Sequence, residues 1–176
     1  DSALVSFEKT VSIDPKISLA SVHRSRILRE KELFTESEEA LTHALAVEKD
    51  YILCYELGNL MASTNRYPDA KRHLLDAITL KADFAPAHAS MGAVHSKLGE
   101  IQEAIQSCYA AIELDPLSFD AFYNLGVINR DKGDIDSAIE SYKKAIEIQP
   151  NSIIAFSNLL FTSSFVKIED KEENLN

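Results

Sequence analysis

Apolar residues along this chain fall into short stripes of helical spacing, separated by polar breaks. In the clearest stretch Phe122, Leu125, Gly126 and Asn129 stand at i, i+3, i+4 and i+7, one face of a helix. Gly133 and Asp134 interrupt that pattern, and Ala138, Tyr142, Ala145 and Ile146 form a second single-faced stripe. Pro150 has no amide hydrogen and disfavours helix for the residue before it, so the second helix is expected to stop there. The unit is a helical pair, A then B.

Laid against itself, the chain repeats this pair every 34 residues: Gly58, Gly92 and Gly126 keep the interval, as do Ala70, Ala104 and Ala138, Ala77, Ala111 and Ala145, and Pro116 and Pro150. Small residues at fixed places predict a close approach of helix A to helix B, with Gly126 and Ala138 marking the contact and Phe, Leu and Tyr filling its flanks. Pro15 lies 101 residues before Pro116, one short of three periods, so a one-residue deletion is expected between them.

The order Phe122, Leu125-Gly126, Ala138, Tyr142, Ala145 and Pro150 resembles the tetratricopeptide signature. Residues 85–118 repeat it with His88, Met91-Gly92, Ala104, Cys108, Ala111 and Pro116. Residues 51–84 repeat it with Cys54, Leu57-Gly58, Ala70, Leu74 and Ala77, but carry Ala82 for the proline. The resemblance implies an all-α fold, a right-handed superhelical solenoid of helical hairpins.

On that frame residues 1–17 (Ala3, Phe7, Thr10, Val11, Pro15) read as helix B of a truncated leading repeat, and 18–50 as a degenerate repeat with Arg24 and Ser25 at the Leu-Gly positions. Full repeats follow at 51–84, 85–118 and 119–152, then a trailing or capping helix at 153–166 and a charged tail at 167–176. In the degenerate repeat Thr35 and Glu38 have the spacing of a capping box. Leu160 stands where the trailing helix would carry glycine, so a normal helix B is not expected against it.

Charge narrows the classes of function. A net charge of −10, with 28 acidic against 18 basic residues, disfavours non-specific attraction to nucleic acid or an anionic membrane. No apolar run approaches the roughly 20 residues that span a bilayer, and no signal-peptide pattern opens the chain, so a cytoplasmic location is expected. The first residues read as the middle of an element, as though the chain begins inside a repeat.

Candidate chemistry resolves into packing. Cys54 and Cys108 fall on core-facing positions of different hairpins, where cysteine acts as a small buried apolar residue. His88 and His95 share the packing stripe of one helix A, with no partner at zinc-ligand spacing. Glycine-rich phosphate loops, nucleophile elbows and His-Glu metal motifs are absent, and Glu38 with Glu39, or Glu103 with Asp134, read as solvated or capping carboxylates. No catalytic residue, metal or cofactor is expected of this segment.

Function is then sought on the surface. The resemblance implies a concave wall lined by the A helices, and the inward repeat positions carry Arg26, Arg29, Tyr55, Asn59, Lys97, Tyr123, Asn124, Arg130 and Asn158. Tyrosine supplies apolar area with a hydroxyl, and asparagine can bond both groups of a peptide backbone, so the wall suits an extended peptide or protein segment. Basic residues match or exceed acidic ones on the A helices, which predicts a neutral to basic groove and an acidic or neutral partner.

Three roles follow. The first is a protein-protein interaction scaffold or adaptor. Its co-chaperone form, a clamp for a C-terminal carboxylate, is disfavoured because Leu19, Ile52, Pro86, Val22, Tyr55 and Ala89 stand where that subtype carries lysine. The second is the substrate-recruiting arm of a larger enzyme, since Asn124 and Asn158 are similar to the asparagine ladder of O-linked N-acetylglucosamine transferases, although Glu56 and Ser90 break it. The third is self-association through the leading helix.

Overall fold

The computed structural model describes residues 18–173, with side chains described as far as Ser164. Its helices are α1 (Ser18–Glu30), α2 (Phe34–Val47), α3 (Tyr51–Ser63), α4 (Tyr67–Leu80), α5 (Ala85–Lys97), α6 (Ile101–Leu114), α7 (Phe119–Lys132), α8 (Ile135–Ile148) and α9 (Ile153–Glu173). No strand occurs among the described residues. The expected leading helix, residues 1–17, lies outside them. The fold is all-α and built of helical hairpins, and the chain divides into two compact units at Ala87–His88, in the first turn of α5. The first unit holds the hairpins α1–α2 and α3–α4; the second holds α5–α6, α7–α8 and α9.

The recurring small residues sit where the two helices of a hairpin meet. Ala70, Ala77, Ala104, Ala111, Ala138 and Ala145 are all fully buried. A Cβ added to Gly58 would stand 2.7 Å from Cγ of Leu74, one on Gly92 2.5 Å from Sγ of Cys108, and one on Gly126 2.5 Å from the ring of Tyr142. Each glycine therefore seats a helix B side chain. The nearest partner of Gly126 is the Tyr142 ring rather than Ala138, which refines the contact expected from the sequence. In α1–α2 the corresponding contact is polar: Ser25 Oγ and Ser37 Oγ are 2.7 Å apart, and Ser37 also donates to the Ser25 carbonyl at 3.2 Å.

Every described hairpin turns in the same way. One or two residues past helix A the backbone takes positive φ, at Glu32 (60°), Asn65 (60°), Gly99 (78°) and Gly133 (86°). The amide after it reaches back five residues, Leu33 to Leu28, Arg66 to Met61, Glu100 to His95 and Asp134 to Asn129, at 2.8–2.9 Å. This pair of features is a Schellman closure, which satisfies carbonyls at the helix end and reverses the chain within two or three residues. The reversal places the N-cap of α2 at Leu33, with no side-chain capping bond. The capping box expected from Thr35 and Glu38 does not form: Thr35 is already inside the helix, and Glu38 pairs with Arg66 at 2.8 Å.

Three residues, 48–50, separate α2 from α3, whereas four separate α4 from α5 (81–84), α6 from α7 (115–118) and α8 from α9 (149–152). The deletion expected from the proline spacing thus has a place between the first two hairpins. Asp50 closes that shortened loop, accepting from the amides of Ile52 (2.7 Å) and Leu53 (3.3 Å) as the N-cap of α3.

The last helix departs from the period. The turn would fall at residue 167, but α9 continues to Glu173, through the stretch that composition reads as a solvated or frayed end. Neither glycine nor asparagine stands at Lys167 to take the left-handed turn, and the Lys and Glu residues that follow are good helix formers. Leu160, at the glycine position, is 70% exposed, so no helix covers that contact as α4, α6 and α8 cover theirs.

Candidate functional site

In the first unit the structure gathers four of the predicted surface residues around one cavity. Arg26 and Arg29 on α1, with Tyr55 and Asn59 on α3, line a space of about 540 Å³ together with Glu30, Phe34, Glu56 and Ser63. The aromatic wall is fixed from beneath: Phe84 meets Tyr51 and Tyr55 edge-on, with ring centroids 5.0 and 5.2 Å apart.

Glu56 organises this cavity, although along the sequence it stands only as a break in the asparagine ladder. Its carboxylate is 3% exposed. Arg26 donates to it through Nε at 3.0 Å and through a guanidinium Nη2, and Arg29 donates through Nη1 at 3.4 Å. The bond to Glu56 holds the Arg26 guanidinium above its ordinary pKa, with burial opposing it. Both arginines keep an open side, 53% and 30% exposed respectively. The charged lining of this cavity is balanced, Arg26 and Arg29 against Glu30 and Glu56. A signal for Glu56 was present in the sequence: it is the only charged residue of α3.

In the second unit Lys97, Tyr123 and Asn124 border a smaller cavity of about 180 Å³, with Ala93, Ser96, Val127 and Ile128. Arg130 and Asn158 do not line it. They support it: Arg130 donates to Oδ1 of Asn158 at 2.9 Å, and Asn158 donates to the Tyr123 hydroxyl at 3.0 Å. Asn158 also donates to the Ile154 carbonyl, so both ends of its amide are engaged within the protein. Asn124 donates to the Ala89 carbonyl at 3.1 Å, so its amide nitrogen already has an internal acceptor.

No cysteine or histidine lines either cavity. Cys54 and Cys108 are buried and unbridged, and burial raises their thiols to about 11 and about 12. His95 is buried, with Nδ1 2.5 Å from Oε2 of Glu100. Among the described residues no group of three or more His, Cys, Asp or Glu side chains could hold a metal ion, and no helix is long and apolar enough to cross a membrane.

Models of the tetratricopeptide repeat match residues 85–116 and 119–152. The chain is 29% identical over 121 residues to the probable UDP-N-acetylglucosamine--peptide N-acetylglucosaminyltransferase SPINDLY of Hordeum vulgare, covering 64% of this chain and 13% of that protein. It is 34% identical over 61 residues to Hsp70-Hsp90 organizing protein 1 of Glycine max, 35% of this chain and 11% of that one. The chain thus spans only about an eighth or less of these relatives. Among solved structures MamA superposes with a TM-score of 0.69 at 23% identity, over 84% of this chain and 86% of that one. YrrB, described as a TPR protein with an unusual peptide-binding site, superposes with a TM-score of 0.67 at 28% identity, over 88% of this chain and 80% of that one. Residues 85–116 and 119–152 are tetratricopeptide repeats, set in a chain whose fold is that of tetratricopeptide-repeat proteins.

Proposed function

We propose that this chain is a protein-interaction scaffold that holds an extended peptide or protein segment, and that the cavity between α1 and α3 is the principal contact. The observation that carries the reading is the convergence of Arg26, Arg29, Tyr55 and Asn59 on one open space. Aromatic area, guanidinium donors and an amide are the groups that recognise a main chain and its side chains together. The Lys97–Tyr123–Asn124 cavity is a second contact within the other unit, with Arg130 and Asn158 holding its tyrosine. The peptide-binding site in the name of YrrB supports a ligand of this class. Lysine is absent from positions 19, 22, 52, 55, 86 and 89, so the carboxylate clamp is not the mode proposed, despite the likeness to Hsp70-Hsp90 organizing proteins. As an adaptor of this kind the chain would act in the cytoplasm and need no cofactor.

Panning a randomised decapeptide library on the protein tests this. Recovered peptides are expected to slow amide exchange in α1 and α3, and to be lost from Asn59→Arg, which fills the cavity, while its melting is kept. Recovery of peptides that bind Asn59→Arg equally would overturn the reading.

A second role rests on the similarity to SPINDLY: the same cavities would serve in the substrate-recruiting arm of a glycosyltransferase. It predicts that this segment, added in excess, competes with substrate for the full-length transferase. Unchanged transfer rates would remove it.

A further inference from the structure

The slot that Glu56 fills is occupied in the second unit by Asn158. In both places an arginine on one A helix reaches a residue on the next A helix, Arg29 to Glu56 and Arg130 to Asn158. The amide of Asn158 gathers one arginine, whereas the carboxylate of Glu56 gathers two. Glu56 is also the buried member of its cluster, at 3% exposure, while both guanidiniums retain faces open to the cavity. The lining then holds two cations, Arg26 and Arg29, against two anions, Glu30 and Glu56.

We infer that Glu56 sets the charge selectivity of the α1–α3 cavity: it presents the two guanidiniums as hydrogen-bond donors while cancelling their attraction for anions, so that the cavity takes an uncharged polar segment and discriminates against an acidic one. This rests on the peptide-binding reading above. Two donors held by a buried acceptor are oriented toward carbonyl oxygens and side-chain amides, and Asn59 across the cavity offers the complementary donor and acceptor. An acidic segment would meet the carboxylates of Glu30 and Glu56 as well as the arginines, which removes its net Coulombic gain.

The test compares wild type with Glu56→Gln, which keeps the shape of the side chain and leaves the lining with one net positive charge. A randomised decapeptide library is panned on both, and affinities of recovered peptides and their Asn→Asp and Gln→Glu versions are measured by fluorescence polarisation. Wild type is expected to recover peptides poor in Asp and Glu, and Glu56→Gln to bind the acidic versions about tenfold more tightly than wild type does. Arg26→Gln in the Glu56→Gln background should abolish that gain. Binding of acidic peptides by wild type, or an unchanged preference in Glu56→Gln, would overturn the inference while leaving peptide binding intact. Recovery of no peptide by either protein, with both melting as folded chains, would overturn the binding reading and this inference with it.

Discussion

The ring of Tyr142 occupies the space into which a side chain on residue 126 would grow. Cδ1 and Cε1 both lie 2.5 Å from the Cβ position of Gly126, and the ring is fully buried. A buried aromatic ring cannot swing aside as the end of a flexible chain could, so one added methyl must move a helix. Gly126→Ala is expected to lose about 1–3 kcal/mol in urea denaturation. Combining it with Tyr142→Ala should cost less than the sum of the two single changes, and strict additivity would show that the contact is misassigned.

The turn residues carry a separate prediction. Glu32 adopts the left-handed conformation that Gly99 and Gly133 adopt at equivalent places, but with a side chain that disfavours it. Glu32→Gly is therefore expected to raise stability by about 1 kcal/mol, and Gly133→Ala to lower it by a similar amount. Nothing lies within 4 Å of a Cβ built at Gly133, so the loss would come from backbone strain alone. Equal midpoints for wild type and Glu32→Gly would refute the account.

Alkaline behaviour follows from the buried thiols. Burial lifts Cys108 from 9.0 to about 12 and Cys54 from 9.0 to about 11. An unfolded chain releases these protons near 9, while the folded chain retains them, so stability is expected to fall as pH rises from 9 toward 12. Cys108→Ala should flatten part of that fall. At pH 8 the Cys108 thiolate fraction is lower than that of an ordinary thiol by on the order of a thousandfold, so alkylation by iodoacetamide should wait on unfolding. Rapid native labelling of Cys108 would contradict its placement.

Hydroxyl packing in the first hairpin gives a fourth test. Ser37→Ala removes the partner of a buried Ser25 hydroxyl and is expected to cost about 1–2 kcal/mol. Replacing both serines with alanine should restore most of that loss, because neither group is then buried unpaired. A double variant as unstable as the single one would show that the pair does not act as a unit.

The hairpins were legible in the sequence because their contacts impose residue size at a fixed interval: Gly58, Gly92 and Gly126 cannot grow without meeting Leu74, Cys108 and Tyr142. Alignment at 34 residues brings equivalent positions together, however, and not neighbours. Arg29 and Glu56 are 27 apart and Arg130 and Asn158 are 28 apart, so the pairs that organise the cavities fall outside that comparison. The common turn was also concealed, since Glu32 and Asn65 hold in two hairpins the conformation that glycine announces in the other two. The run of α9 past residue 167 had no mark in the apolar pattern, because it depends on the lack of a turn residue.

The serine-lined contact of the first hairpin bears on the cavity as well as on stability. Order in helical-repeat proteins is set locally, and this hairpin buries the Ser25–Ser37 hydroxyl pair and an unpartnered Ser21 hydroxyl alongside the apolar Val22, Leu28 and Leu41. Arg26 and Arg29 project from this same α1. Occupancy of the cavity and closure of the first hairpin are therefore expected to be linked: a ligand held by Arg26 and Arg29 would favour the closed hairpin, and stiffening α1 would strengthen binding without adding a single contact to the ligand.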